Sequence, residues 1–343
     1  MKKINKLFYT IIAFLAITCS IFASGGERNG TAGATELLIP VGARGIAMGG
    51  ATLTNSYGLE SVYWNPANLA VGNYNSEVFF SHMSYIADIG IEYGAVSTSI
   101  EGFGSIALTI KSLAFDEIPV TTNENPDGTG QTYTPNYMTI GFTYAKQLSD
   151  RISVGLTANY VSEEIDRVSA TGFAFNVGIA YQNLGNIDGL DIAFVLKNVG
   201  PQMEFGGSAL YVEATAQGQS RGTSFLEIDA AKFDLPSSLE LGLGYSINMN
   251  EMNSIEFSGS FQNNNFLGDE YRIGAEYTYD NLFFVRGGYD YMADVTEDEN
   301  IYGLTAGAGL NYNLGDASIQ IDYAYRQADF FDDNHVFTVG LGF

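Results

Sequence analysis

Basic residues are scarce: 15 lysines and arginines stand against 39 aspartates and glutamates in 343 residues, a formal charge of −24. Nothing in such a chain neutralises a run of phosphates, so nucleic acid is excluded as a natural ligand. Cysteine occurs once and histidine twice. His82 and His335 are far apart, and the sequence holds no Cys/His metal spacing, no serine or cysteine nucleophile motif and no glycine-rich phosphate loop. The chain therefore reads as non-enzymatic and without a cofactor. Long apolar runs are also missing. Beyond residue 22 none reaches the roughly 20 residues of a spanning helix, so a membrane could be crossed only by strands.

The beginning of the chain is a different matter. Lys2, Lys3 and Lys6 precede an apolar run from Leu7 to Phe22, followed by the small residues Ala23, Ser24 and Gly25. This is the pattern of a secretory leader, residues 1–23, with cleavage near Ala23. The run is short for an anchor. Ala-Ile-Thr before Cys19 makes a poor lipidation site, and loss of Cys19 with the leader would leave no disulfide.

What the chain does have is 40 glycines, 22 tyrosines and 23 phenylalanines. From Asn75 onward it alternates. Ile152, Val154, Leu156, Ala158 and Tyr160 interleave with Ser153, Gly155, Thr157 and Asn159. The pattern returns at Leu239–Ile247 and Tyr302–Tyr312, and at the carboxy-terminal end, where Phe337, Val339, Leu341 and Phe343 share a face. Large apolar residues on one face and small or polar ones on the other form the period-two signature of a transmembrane barrel. The segments run to about ten residues, longer than ordinary soluble strands. Leu156 and Ile273 are expected to face lipid near mid-bilayer. A last strand ending on Phe343 resembles the signal by which outer-membrane barrels are handed to the barrel assembly machinery.

About fourteen such segments are predicted, starting near Glu77, Glu92, Gly104, Tyr137, Ile152, Gly172, Leu190, Leu239, Ser254, Glu270, Leu282, Tyr302, Ser318 and His335. Short connections fall around Gly102, Ser149, Asn186, Asn250, Asp280 and Gly315. Long ones fall at Ala114–Asn136 and Gly200–Pro236, and medium acidic ones near Glu163, Asn264, Val295 and Phe331. Short and long alternate after the first, as periplasmic turns and outer loops do. An even strand count puts both termini in the periplasm. The expectation is an all-β fold: a transmembrane antiparallel barrel over 75–343, in outer-membrane lipid, with 24–74 as an amino-terminal plug in the periplasmic mouth. Fourteen strands enclose more space than side chains can fill.

The plug contains Gly-Ala-Arg at 42–44, Met48-Gly49-Gly50-Ala51 and Tyr63-Trp64-Asn65-Pro66-Ala67. Together with Gly-Thr-Ala-Gly-Ala from Gly30, the run from Val41 to Ala51, Tyr144–Gly155 and Leu235–Tyr245, these resemble the PorV/PorQ family, within the wider FadL-like barrel superfamily. One departure stands out. Relatives commonly carry paired acids before the Asn-Pro-Ala turn, where this chain has Asn55-Ser56-Tyr57-Gly58-Leu59-Glu60. The resemblance implies an outer-membrane barrel of Bacteroidota-like bacteria that works with type IX secretion components and receives exported cargo. A FadL-like passive transporter of hydrophobic molecules and a structural or adhesive surface protein are the alternatives.

Candidate residues follow from the same pattern. Arg44 is expected to pair with a lumen carboxylate, and Trp64 to pack within the plug. On the polar face of the strands stand Glu240, Glu256, Glu276 and Asp322, with Arg272, Arg286 and Arg326 as partners; charge facing lipid would be costly. Tyr133, Tyr137, Leu210, Tyr211 and Phe225 offer apolar contact area in the long loops. Asp294, Glu297, Asp298 and Glu299, with Asp329, Asp332 and Asp333, could collect Ca²⁺, but without EF-hand spacing solvated loop acid is the preferred reading.

Overall fold

The computed structural model describes residues 30–214, 224–293 and 300–343. The leader and the acids Asp294, Glu297, Asp298 and Glu299 lie outside the described residues. Eighteen strands are described: β1 (Ser76–Ser84), β2 (Gly90–Ile100), β3 (Gly104–Ala114), β4 (Ile118–Pro119), β5 (Thr132–Tyr133), β6 (Asn136–Ser149), β7 (Ile152–Ile165), β8 (Val168–Tyr181), β9 (Leu190–Val199), β10 (Tyr211–Ala214), β11 (Ser224–Glu227), β12 (Ser238–Asn250), β13 (Asn253–Asn264), β14 (Glu270–Tyr279), β15 (Phe283–Met292), β16 (Tyr302–Asn313), β17 (Ser318–Ala328) and β18 (Asn334–Gly342). Fourteen of them close into one antiparallel barrel in which β18 pairs with β1; β4–β5 and β10–β11 are small separate hairpins. Closure removes every sheet edge. At the seam, Asn75 and Ser76 donate backbone N–H groups to the Phe343 carbonyl at 3.0 and 3.2 Å. This end of the barrel is called proximal below, and the opposite end distal.

Alternation sets inside from outside. On β18, Phe337 and Val339 are exposed while Val336 and Thr338 are buried. Leu156 and Ile273 point outward, and Thr157 points inward. Around Ile273, whose cross-strand partner Tyr289 is also exposed, the outer wall carries Tyr271 and Tyr291 toward the distal end and Tyr277, Tyr279 and Phe283 toward the proximal end. Aromatic rings at both ends of the strands suit the two interfaces of a bilayer.

Two details of the strands differ from the sequence reading. The acidity near Glu163 predicts a medium connection, yet β7 and β8 are joined by Asp166 and Arg167 alone. Glu163 is a strand residue turned inward and buried, whereas Glu164 faces out. The 182–189 connection at the proximal end is longer than this distal turn, so strict alternation of short and long fails. Tyr302 is the second correction. It shares parity with outward Leu304, but a register shift between Tyr302 and Thr305 turns its ring inward.

Phe343 has half its side chain exposed, and its seam hydrogen bonds are all backbone. Phe343→Ser is therefore expected to change the stability of the vesicle-folded barrel by about 0.5 kcal/mol or less, while lowering yield in the outer membrane of cells. Equal membrane yield at matched expression would remove the assembly-signal role.

Residues 30–74 form an inner segment of short turns inside the barrel. It is not confined to one mouth. Ala32 bridges Asp234 of the distal 200–237 connection, while the Leu59 N–H donates to Glu77 near the proximal rim at 2.5 Å. Glycines make room for it. A Cβ at Gly155 would strike Pro66 and Ala67, at Gly242 Leu53, at Gly274 and Gly288 Met48, and at Gly307 Ala47. Approach this close by the inner segment is possible only where the wall residue carries no side chain. Gly49 and Gly50, at φ 64° and 81°, turn the chain away after the helical turn Ala43–Ala47. On the opposite side the contact is apolar: Val41, Ile46, Leu59, Val62 and Leu69 pack with Phe79, Met83, Ile91 and Val336 of the wall.

Candidate functional site

The lumen has two storeys. The lower, toward the proximal end, is an ion network built on Arg44. Its Nε and Nη2 donate to the two Glu276 oxygens at 3.0 and 3.1 Å, and Nη1 donates to the Asn55 carbonyl at 2.6 Å. Glu256 lies 3.9 Å from Nη2. Arg286 continues the chain, pairing with both Glu276 and Asp322. Burial works against the Arg44 charge, but the carboxylates of Glu276 and Glu256 outweigh it and hold its pKa well above the usual range. Glu60 is half-buried here, with its Oε1 shut from solvent. Burial and the Asp322 charge push its carboxyl up to about 7, against the pull of Arg44 and Arg286.

Asn65 and Pro66 shape the turn that seats the segment. Asn65 accepts the Ala67 N–H at 3.0 Å as an N-cap, Pro66 opens the 3-10 turn Pro66–Val71, and the Asn65 and Asn68 amides both donate to the Leu53 carbonyl. Trp64 is buried, edge-on to Tyr63 at 5.1 Å, with its ring against Gly45. Met48 is fully buried against the wall glycines.

The upper storey is a cavity of about 700 Å³ toward the distal end. Apolar residues such as Leu37, Ile86, Ile89, Phe115 and Phe266 line it, with Tyr63, Trp64, Tyr85, Tyr137 and Tyr302. Charged groups line it too. Lys197 pairs with Glu240 at 3.0 Å and lies over the Tyr63 ring; Arg272 pairs with Glu270, and with Asp290 at 3.5 Å. Arg326 departs from the expected carboxylate partner. It donates to Asn334 at 3.0 and 2.8 Å and stacks over Tyr302 at 3.8 Å. Glu240 likewise takes a lysine rather than an arginine.

The described parts of the long distal connections carry local structure. In 200–237, Met203 bridges Phe233, Gly206 bridges Ser169, and Phe233 sits on Gly33 of the inner segment. The β10–β11 hairpin stands clear, with Tyr211, Val212, Phe225 and Leu226 exposed; Phe225 reaches 71%. Leu210 is half-buried at its base, and Tyr133 is half-buried in the β4–β5 hairpin. Tyr137 is not a loop residue. It belongs to β6, stacks edge-on to Phe115 at 5.3 Å and faces the cavity. Among the described residues no group of His, Cys, Asp or Glu could hold a metal, and Asp333 accepts instead from Tyr325 and the Ala328 N–H.

Glu36, Glu60, Lys111, Lys197, Glu270 and Asp290 were not singled out by the sequence. For the strand residues a signal existed. Lys111 shares the inward face with Ser105, Ala107 and Thr109, and Lys197 with Ala193 and Val195.

The family described as Type IX secretion system protein PorV matches residues 23–267, most of the chain. The chain belongs to the PorV family. Among solved structures, this PorV-family barrel is similar to the CymD monoaromatic hydrocarbon channel, with TM-score 0.56 and 14% identity over 89% of this chain and 97% of that one. It is also similar to the Pseudomonas putida toluene transporter TodX, with TM-score 0.55 and 14% identity over 88% and 96%. At such identity the likeness is one of fold, a FadL-like barrel. No curated protein matches the sequence. PorV-family barrels are a non-enzymatic kind of protein, and this PorV-family barrel is an outer-membrane protein.

Proposed function

We propose that this PorV-family protein assists type IX secretion by holding exported cargo, and secretion components, at its distal end. The distal end then faces outward and both termini lie in the periplasm, with residues 24–74 acting as a plug. The observation that carries this reading is the β10–β11 hairpin, whose apolar residues Tyr211, Val212, Phe225 and Leu226 stand in solvent on a connection tied to the barrel at its base. Exposed apolar area on an anchored loop marks a contact site.

A second reading, passage of hydrophobic molecules as in FadL-like barrels, has the cavity in its favour. Against it stand the charged groups that line the cavity, which a hydrocarbon would desolvate without compensation, and the inner segment that fills the lower storey. Deleting the gene separates the two readings. The exported-protein profile is expected to change while uptake of a labelled long-chain fatty acid does not. An unchanged profile with impaired uptake would favour passage.

A further inference from the structure

At the distal end of the inner segment two carboxyl groups meet without a cation between them. Glu36 sits in the turn Thr35–Leu38 with 2% exposure, and no other residue donates a hydrogen bond to its carboxyl oxygens. Ala34 and Leu37, on either side of it, pack with Val161 of β7, which sets it beside the inward Glu163, 5% exposed. Lys111 of β3 is close, but its Nζ is committed to the Glu36 and Ile39 backbone carbonyls at 2.7 and 3.2 Å. Other titratable groups surround the pair. The Tyr63 hydroxyl donates to the Leu37 and Leu38 carbonyls, Tyr137 of β6 lies near both acids, Lys197 of β9 pairs with Glu240, and Asp234 of the 200–237 connection accepts from Gln202. Glu163 already accepts the Ala34 N–H. Two buried carboxylates in contact cannot both ionise.

We infer that Glu36 and Glu163 share one proton, and that this proton latches the distal end of the inner segment, with Phe233 and Asp234 bridged to it, over the lumen. The coupling runs through Gly33, whose N–H donates to the Asp234 carbonyl at 3.1 Å and which lies under Phe233. Burial and the Glu163 charge push the Glu36 carboxyl up to about 8, with Lys111 pulling the other way. The sign follows. The docked segment holds a proton that the released segment gives up at an ordinary glutamate pKa. Docking is thus strongest in acid, weakens as pH rises from about 4.5, and has lost the whole contribution once pH passes about 8. The latch belongs to the barrel itself and does not depend on which partner it serves.

The test is hydrogen exchange of the 33–39 amides in the full chain in lipid vesicles, corrected for intrinsic rate. Protection is expected to fall about tenfold or more between roughly pH 6 and pH 9, while the 65–71 amides, far from the pair, change little. Glu36→Gln supplies a permanent N–H donor to Glu163 and is expected to hold protection constant over that range. Glu163→Gln, which leaves no second charge, is expected to flatten the dependence too, with heat-modifiable gel mobility reporting that either barrel is folded. Equal protection of the native protein at both pH values would overturn the latch. So would a fall of the same size that survives in both variants.

Discussion

Arg44→Met is expected to undock the inner segment while leaving the barrel closed. The substitution keeps much of the side-chain volume but removes the paired bonds to Glu276, the bond to the Asn55 carbonyl and the charge beside Glu256. Breaking one partner out of a buried ion pair costs about 3–5 kcal/mol, because the remaining charges stay buried. The loss falls on the segment, since Arg44 is the cation it contributes to this ion network. The fourteen strands keep their ladders through the seam of β18 with β1. Single-channel conductance in planar bilayers should rise relative to the native barrel. Arg44→Lys should fall between, as an ammonium cannot make the two-pronged contact. A double-mutant cycle with Glu276→Gln is expected to show strong coupling, because the second substitution removes the carboxylate that the first leaves stranded. Native conductance in Arg44→Met would mean that the network does not hold the segment in place.

Ile273→Arg should cost roughly 2–4 kcal/mol when the barrel is folded into vesicles, the expected penalty for arginine on the lipid face near the midplane. Ile273 is 62% exposed and lies between the tyrosine rings at the two ends of its strand. Tyr279→Arg, at the proximal end of β14, is the matched control, with an expected cost of about 0–1 kcal/mol because the side chain can reach the interface. Leu156→Arg should behave like Ile273→Arg. Equal costs at 273 and 279 would show that the exposed belt is not graded by depth in lipid.

The barrel was legible because its rule is local. A side chain on a strand faces in or out by parity, and lipid on one side makes parity visible in the residue types. Thirteen of the strand starts fall within two residues of the expected positions, and the start near Gly172 falls at Val168. The misses have separate causes. Tyr302 escapes parity through a register shift, and Glu163 escapes the loop rule because its acid is used inside the lumen. Charges in the site were half legible. That Arg44 meets carboxylates follows from the cost of burying it alone. Which carboxylates it meets depends on how the inner segment folds across strands far apart in sequence, and no periodicity encodes that. Glu36 and Glu60 were hidden for the same reason, since the segment's short 3-10 turns have no repeat to read. The long connections were recognised by length, but their hairpins and bridges rest on pairings between residues such as Met203 and Phe233 that composition does not announce.

The most direct measurement of the secretory role is photo-cross-linking in secreting cells from a reactive residue placed at Phe225, with Tyr279 on the lipid belt as the control position. Exported proteins or secretion components are expected among the products at Phe225 and absent at Tyr279. Cross-links to lipid alone at both positions, from a barrel present at native levels, would contradict a cargo-holding distal end.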